Sequence, residues 1–260
     1  MSAVDVHHVV TGREDAPVVV LSNSLGSTMS MWDPQVDELA RHFRVVRYDT
    51  RGHGGSPVPD GPYDLDDLAD DVVALLDRLD VESAHVVGLS LGGMTGMRLA
   101  ARDPERVDRL VVLCTGAHLT PTKAWTDRAA TVRDRGTGAV AEAVVQRWFT
   151  PAHLASHPDV RAASEAVVAG TPAEGYAGCC EAIATMDLRA DLASITAPTL
   201  AVAGADDPAT PPPHLEAIAA GVQDGRCLVV PDAAHLANAQ QPGTITPAII
   251  QHLTDSTENS

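Results

Sequence analysis

Short runs of continuously apolar residues recur along the chain, and between them apolar residues return at every third or fourth position. The runs occupy residues 16–21, 43–49, 84–89, 110–114, 198–203 and 227–230. Their length and β-branched content favour strands buried on both faces, as in a parallel sheet. Apolar residues at helical spacing predict helices over Leu65–Leu79, Met94–Ala101 and Leu215–Val222. The alternation predicts an α/β fold, with a mostly parallel central sheet flanked by helices.

The alternation stops in the middle of the chain. Between Gly116 and Leu192 the segments look helical, Pro and Gly interrupt them, and no run suggests a strand. We interpret residues 116–192 as a helical lid inserted within a single domain, whose core comprises residues 1–115 and 193–260. A chain of 260 residues that is 45% hydrophobic is long enough to bury one sizeable core.

The net charge and the cysteines indicate which binding partners and which cellular compartment to expect for this protein. A net charge of −17 argues against nucleic acid or an anionic membrane surface as the partner. No run approaches the ~18 apolar residues of a membrane span, and the N-terminal segment lacks the features of a secretory signal. The spacing of Cys114, Cys179, Cys180 and Cys227 fits no zinc site or disulfide scaffold. We expect Cys114 and Cys227 to be buried thiols in a cytoplasmic protein.

One serine lies between two glycines at the end of a predicted strand. The match Gly88-Leu89-Ser90-Leu91-Gly92 to G-x-S-x-G is weak alone, because a glycine-rich loop produces it by chance. However, it directly follows an apolar run and directly precedes a helical pattern, which is the context of a nucleophile elbow. Glycine lacks a Cβ, so chain segments can pass close on both sides. This context predicts that Ser90 is an exposed nucleophile at a helix N-terminus, where backbone N–H groups stabilise negative charge.

A serine hydroxyl needs a base, and on this type of fold an acid and then a histidine follow the serine in the chain. Asp206 and Asp207 follow the run at 198–203, and His235 follows the run at 227–230. Spacing leaves both aspartates as candidates. The rival histidines His53, His85 and His214 are expected to be structural or to lie at the surface.

With these residues in place, the chain resembles the α/β-hydrolase superfamily over nearly its whole length. The resemblance selects Asp207, three residues after the glycine of G-x-x-D, as the acid of a triad with Ser90 and His235. It also implies that the backbone N–H groups of Leu25 and Leu91 form the oxyanion hole, because the stretch at 22–26 replaces the His-Gly-X loop of many relatives.

A narrower likeness lies in the stretches SNSLGSTMSMWDPQ, YDTRGHGGS, RWFTP and GYAGCCEAI. Together they resemble the 3-oxoadipate enol-lactonases. The resemblance implies that the chain hydrolyses 3-oxoadipate enol-lactone to 3-oxoadipate, in the β-ketoadipate pathway of aromatic catabolism. It implies a small-molecule lactone or ester as the substrate and neither a metal nor an organic cofactor. Assembly as a homo-oligomer stays open.

The lid is expected to bind the carboxylate of such a substrate through an arginine. The candidates are Arg128, Arg133, Arg135, Arg147 and Arg189. We select Arg133, because it lies on a predicted lid helix near Trp125 and Arg128. Trp148 is either an apolar wall of the pocket or part of the lid core.

Other functions use the same fold. The triad equally serves a general carboxylesterase, or a haloperoxidase or perhydrolase that needs no cofactor. A ligand receptor on this fold that hydrolyses nothing has no need of a complete triad. Assays of turnover with enol-lactone, ester and peracid substrates distinguish these alternative functions from one another.

Overall fold

A computed structural model describes residues 2–255 and contains a seven-stranded sheet. The strands are β1 (His8–Thr11), β2 (Val18–Ser22), β3 (Arg44–Tyr48), β4 (Ala84–Leu89), β5 (Val107–Leu113), β6 (Thr199–Gly204) and β7 (Gly225–Val230). Their order across the sheet is β1-β3-β2-β4-β5-β6-β7. β1 pairs antiparallel with β3, and the other neighbouring strands pair in parallel. The predicted mostly parallel α/β sheet is confirmed, since each apolar run lies on a parallel strand.

The first strand was not predicted from the sequence. β1 is an edge strand with a single neighbour, and Val9 and Val10 are 37% and 38% exposed. Its four residues therefore have neither the continuous burial of a central strand nor a clear alternation.

Helices follow most of the strands and cover the sheet. They are α1 (Asp33–Leu39), α2 (Leu65–Arg78), α3 (Leu91–Arg102), α4 (Thr122–Arg135), α5 (Gly138–Trp148), α6 (Pro151–Ser156), α7 (Pro158–Gly170), α8 (Ala173–Thr185), α9 (Pro212–Gly221), α10 (Ala237–Gln240) and α11 (Pro242–Thr254). α2 begins where predicted, because the Asp64 carboxylate accepts from the Asp67 N–H at 2.9 Å and the Asp67 carboxylate accepts from the Asp64 N–H at 3.1 Å. α3 begins earlier than predicted, at Leu91.

The middle of the chain is helical. α4 to α8 lie between β5 and β6, α4 packs on α8, and α5 packs on α7. Residues 116–192, all of which the structure describes, contain no strand. These helices fall within the segment predicted to form a lid, whose boundaries stay a prediction.

The cysteines differ in their surroundings. Cys114, Cys179 and Cys180 are buried, whereas Cys227 is exposed. The expectation that Cys227 is a core thiol was wrong, because β7 is an edge strand and leaves most of its side chains in contact with solvent. No helix in residues 2–255 combines the length and the apolar character needed to cross a membrane.

Candidate active site

Ser90 occupies the turn between β4 and α3 in a strained backbone conformation. Its φ of 56° and ψ of −115° lie where non-glycine residues are rarely found. Hydrogen bonds to the backbone of Ser90 hold the turn: the Ser90 N–H donates to the Leu113 carbonyl at 2.9 Å, and the Ser90 carbonyl accepts from the Thr115 side-chain hydroxyl at 2.7 Å. Strain that its surroundings enforce in this way is typical of a nucleophile elbow.

The two glycines of the motif are required by close backbone contacts. A Cβ at Gly88 would lie 2.1 Å from the Gly92 carbonyl oxygen, and a Cβ at Gly92 would lie 2.2 Å from the Ser22 carbonyl oxygen. The Gly92 N–H also donates to the Asn23 carbonyl at 2.9 Å. The elbow is therefore joined directly to the loop that follows β2.

Asp207 and His235 form a buried pair at the ends of β6 and β7. The Asp207 Oδ2 lies 2.8 Å from the His235 Nδ1 and accepts from the Thr210 hydroxyl at 2.7 Å, while the Asp207 Oδ1 accepts from the Ala209 N–H at 2.8 Å. Burial by itself raises the pKa of Asp207, but the charge and hydrogen bond of His235 and the bonds from Thr210 and Ala209 outweigh it, so the pKa lies below its ordinary value. An ionised carboxylate thus faces the imidazole ring.

The neighbouring candidates lie elsewhere. Asp206 is exposed, and its N–H donates to the Ala233 carbonyl at 2.9 Å. Of the two aspartates that spacing left open, the structure brings Asp207 to His235. Of the rival histidines, His214 lies on α9 and His85 on β4, and neither lines the cavity that contains Ser90.

Thr210 was not predicted from the sequence. It supports the carboxylate from three residues further along the same turn, through both its hydroxyl and its N–H. An aspartate followed a few residues later by a short hydroxyl side chain often forms hydrogen bonds within the turn. That pattern is the signal that could have identified it.

The loop after β2 presents a free backbone N–H group. The Asn23 side chain anchors it, because its Oδ1 accepts from the Trp32 indole at 3.0 Å and its Nδ2 donates to the Tyr48 carbonyl at 2.6 Å. Within residues 2–255, the Leu25 N–H donates no hydrogen bond to another backbone group. Leu91 is the first residue of α3, where a backbone N–H has no acceptor within the helix. Both N–H groups are available to an oxyanion.

A cavity of about 220 Å³ lies between the lid helices and the sheet. Leu25, Ser90 and His235 line it from the core side. The lid contributes Trp125, Arg128, Val144, Arg147, Trp148 and Tyr176. Trp148 is 4% exposed and packs in the hydrophobic core, so it belongs both to the wall of the cavity and to the lid core.

Arg133 is not among the residues that line this cavity. Its guanidinium group forms ion pairs with Glu174 at 2.7 Å and with Glu181 at 2.5 Å, both on α8. The structure therefore does not support our selection of Arg133 as the cation that meets a substrate carboxylate.

Arg128 and Arg147 do line the cavity. In the described part of the chain, neither has a carboxylate within ion-pair distance. Arg128 stacks on the Trp125 ring, with 4.6 Å between the guanidinium carbon and the ring centroid. Burial, followed by the positive charge of Arg128, lowers the pKa of Arg147. Among the described residues, the cavity thus holds two neighbouring cations that form no direct ion pair with a protein carboxylate.

Residues 2–255 contain no cluster of three His, Cys, Asp or Glu side chains arranged as metal ligands. The groups that line the cavity include the Ser90 hydroxyl, the His235 imidazole ring, backbone N–H donors and two guanidinium groups. Such a set is suited to acyl transfer from an ester or lactone.

The chain is similar to known proteins over most of its length. Residues 17–242 match the model of the α/β-hydrolase fold family. The chain is 39% identical to 3-oxoadipate enol-lactonase 2 of Acinetobacter baylyi, over 95% of this chain and 92% of that protein. The enol-lactonase structure from Burkholderia xenovorans superposes with a TM-score of 0.94 at 40% identity, over 96% of each chain. A hydrolase from Pseudomonas aeruginosa superposes with a TM-score of 0.93 at 42% identity, over 96% of this chain and 94% of that one. The chain therefore belongs to the α/β-hydrolase fold family, as the resemblance predicts, and is a hydrolase.

Proposed function

We propose that this enzyme opens 3-oxoadipate enol-lactone to 3-oxoadipate by means of a Ser90–His235–Asp207 triad. The observation that carries this proposal is the pair of guanidinium groups, Arg128 and Arg147, in the same cavity as the proposed nucleophile. The names of the relatives from Acinetobacter baylyi and Burkholderia xenovorans support the same activity.

The arginine pair favours an anionic substrate. Two cations that share a partly buried cavity repel each other, and a carboxylate between them removes this repulsion and forms charge-assisted hydrogen bonds. The pair also differs from the molecule as a whole, whose net charge is −17. An enzyme for neutral esters has no use for such a pair, so Arg128 and Arg147 replace Arg133 as the proposed carboxylate ligands.

The position of Arg147 links carboxylate binding to the reaction. Its backbone carbonyl accepts from the His235 N–H at 3.4 Å, and the next residue, Trp148, accepts from the Leu236 N–H at 2.8 Å. The end of α5 is therefore tied to the histidine loop. A carboxylate held there places the rest of a small lactone beside the triad, which favours the geometry of attack.

The proposed reaction proceeds through an acyl-enzyme. His235 takes the proton from Ser90 as its Oγ attacks the lactone carbonyl, and Asp207 holds the imidazole ring and stabilises the imidazolium. The N–H groups of Leu25 and Leu91 bind the oxyanion, and one such donor typically contributes ~2.7–4 kcal/mol in the transition state. The C–O bond of the ring breaks as the His235 imidazolium gives its proton to the leaving oxygen, which becomes an enol and stays tethered to the acyl group. Water activated by His235 then releases Ser90, and the enol becomes the ketone of 3-oxoadipate.

We also propose a cytoplasmic location for this reaction. All four cysteines are free, and Cys179 and Cys180 are adjacent and buried in the lid. Unpaired thiols persist in a reducing compartment. Detection of the activity in the cytosolic fraction of cells that express the chain tests this location.

Two lactones that differ in one carboxylate test the substrate. α-Angelica lactone has the same enol-lactone ring with a methyl group in place of the carboxymethyl group. We expect kcat/KM to be at least ~10-fold higher for 3-oxoadipate enol-lactone, because charge-assisted hydrogen bonds contribute ~1.5–3 kcal/mol. Arg128→Met and Arg147→Met should each reduce this ratio, while Arg133→Met, the matched control on the same lid, should retain it.

The possible outcomes separate the alternatives. A wild-type ratio near one would reject the enol-lactonase proposal and favour a general carboxylesterase. A ratio that survives in both the Arg128 and the Arg147 variants, but falls in the Arg133 variant, would reject only the choice of arginines. Absence of turnover with either lactone and with p-nitrophenyl acetate would favour a ligand receptor.

A further inference from the structure

We propose that His53 is a positioning residue that holds the oxyanion loop in its active shape. The loop is residues 23–27, which follow β2 and include the proposed donor Leu25. This inference rests on the proposed oxyanion role of Leu25, but it does not depend on which ester or lactone is the substrate.

His53 bridges the oxyanion loop and the chain that follows β3. It is 1% exposed, and its Nε2 lies 3.0 Å from the Gly26 backbone nitrogen, while its Nδ1 lies 3.1 Å from the Arg51 carbonyl oxygen. Since the Gly26 N–H is a donor, Nε2 must accept and carries no proton. Nδ1 carries the proton and donates it to Arg51. The ring is therefore neutral in a single tautomer, with both nitrogens occupied.

The residue that supports the other side of the ring is held rigidly. The Arg51 guanidinium group donates to the Asp71 carboxylate at 2.6 and 2.7 Å, and Arg51 is fully buried. The nearby Asp49 carboxylate accepts from the Met29 N–H at 2.8 Å and from the Gly55 N–H at 2.9 Å. The backbone segment that contains the Arg51 carbonyl, the partner of His53 Nδ1, is thus held in place. We therefore infer that the bond between His53 and Gly26 fixes the position of the loop rather than that of the ring.

The bond to Gly26 lies one peptide away from the proposed oxyanion donor. Ser24 to Ser27 form a turn, in which the Ser27 N–H and hydroxyl donate to the Ser24 carbonyl at 3.2 and 2.7 Å. The Ser24 carbonyl and the Leu25 N–H belong to the same peptide group, so the bonds from Ser27 fix the direction in which the Leu25 N–H points. Gly26 has φ +77°, as expected at the third position of a type II turn. The central peptide of this turn joins Leu25 to Gly26, and its N–H takes no part in the bonds that close the turn. His53 holds this peptide by its N–H.

The test uses p-nitrophenyl acetate, so that it is valid whether or not the enol-lactone is the substrate. His53→Leu removes the acceptor at similar volume, and His53→Gln keeps one, since its amide oxygen can take the place of Nε2. We expect His53→Leu to lower kcat by about 10- to 100-fold with KM nearly unchanged, somewhat less than the 10²–10³-fold loss when a donor is removed outright. Inhibition by 1,1,1-trifluoroacetone, whose adduct with a serine carries an oxyanion, should weaken by a similar factor. His53→Gln should recover most of both losses.

A control variant and a measurement on the wild type keep the proposal falsifiable. His85→Leu applies the same change to another buried histidine, outside the cavity lining, and should leave kcat and trifluoroacetone inhibition within ~2-fold. Equal losses in the His53 and His85 variants, or losses that follow the folded fraction measured by circular dichroism, would overturn the proposal. If His53→Leu does not fold, ¹⁵N NMR of the wild type decides: a proton on Nε2 of His53 at pH 7 would overturn it, whereas the Nδ1–H tautomer supports it.

Discussion

Asp206 and Asp207 are adjacent in the chain, but their surroundings differ completely. Asp207 is 2% exposed and contacts His235, whereas Asp206 faces solvent. We therefore expect Asp207→Asn to lower kcat by roughly 10³–10⁴-fold, because the amide favours the wrong imidazole tautomer. Asp206→Asn, the matched control, should stay within ~2-fold. Steady-state hydrolysis of p-nitrophenyl acetate by the purified variants measures both effects.

Ser90→Ala and His235→Ala give the reference for these losses. Both should reduce turnover to a similar residual level, since members of a triad act as a unit. The reverse order for the two aspartates, a severe loss in the Asp206 variant and a mild one in the Asp207 variant, would show that the acid is misassigned by one position. Near-normal turnover by folded Ser90→Ala would reject the nucleophile.

The elbow between β4 and α3 gives a prediction at the level of elements. Gly92→Ala introduces a Cβ 2.2 Å from the Ser22 carbonyl oxygen, a backbone atom that cannot move without shifting β2. We expect a loss of about 1–3 kcal/mol in the free energy of unfolding, as is usual for overpacking, together with a loss of activity. Gly170→Ala, at the end of α7, has nothing within 4 Å of the new Cβ and should be neutral or slightly stabilising. Urea unfolding compares them, and equal stabilities would contradict the steric argument.

The sequence predicted the strands whose residues are continuously apolar. Five of the six apolar runs lie on the inner strands β2 to β6, because a strand covered on both faces tolerates few polar residues. The sixth run lies on the edge strand β7, which is apolar at residues 227–230 although most of its side chains are exposed. β1 was not predicted, because it is only four residues long and its two apolar residues, Val9 and Val10, are partly exposed. The same reasoning placed Ser90 and His235 at the ends of strands, which bring distant residues to one edge of the sheet.

Lid side chains could not be assigned in this way. Arg128 and Arg133 lie on α4 five residues apart, which separates them by about 140° around the helix. They therefore face different surroundings, and the sequence does not say which one meets the cavity. Which arginine lines the cavity depends on how α4 packs on α8, because Glu174 and Glu181 of α8 form ion pairs with Arg133. Tertiary packing of this kind leaves no local signal.

At the scale of the whole molecule, several buried histidines couple stability to pH. Burial lowers the pKa of His53, His85 and His252 below the ordinary value of about 6.5. His252 shows why the neutral form is favoured: its Nε2 lies 3.0 Å from the Pro198 carbonyl oxygen, and its Nδ1 lies 3.0 Å from the Arg226 guanidinium group. An imidazolium at this position would place a second positive charge beside the arginine.

The unfolded chain therefore binds more protons than the folded chain once the pH falls below about 6.5. The stabilisation from a neutral buried histidine is complete at higher pH and is lost progressively as the pH falls through that value, at up to ~1.4 kcal/mol per pH unit for each histidine. We expect the free energy of unfolding in urea to change little between pH 7 and 7.5 and to fall steeply from pH 6.5 to 5, above the range in which carboxylates titrate. His252→Gln should make this slope shallower by about the contribution of one histidine, since glutamine cannot take up a proton. A flat profile down to pH 5 in the wild type, or an unchanged slope in the variant, would show that these rings do not titrate on unfolding.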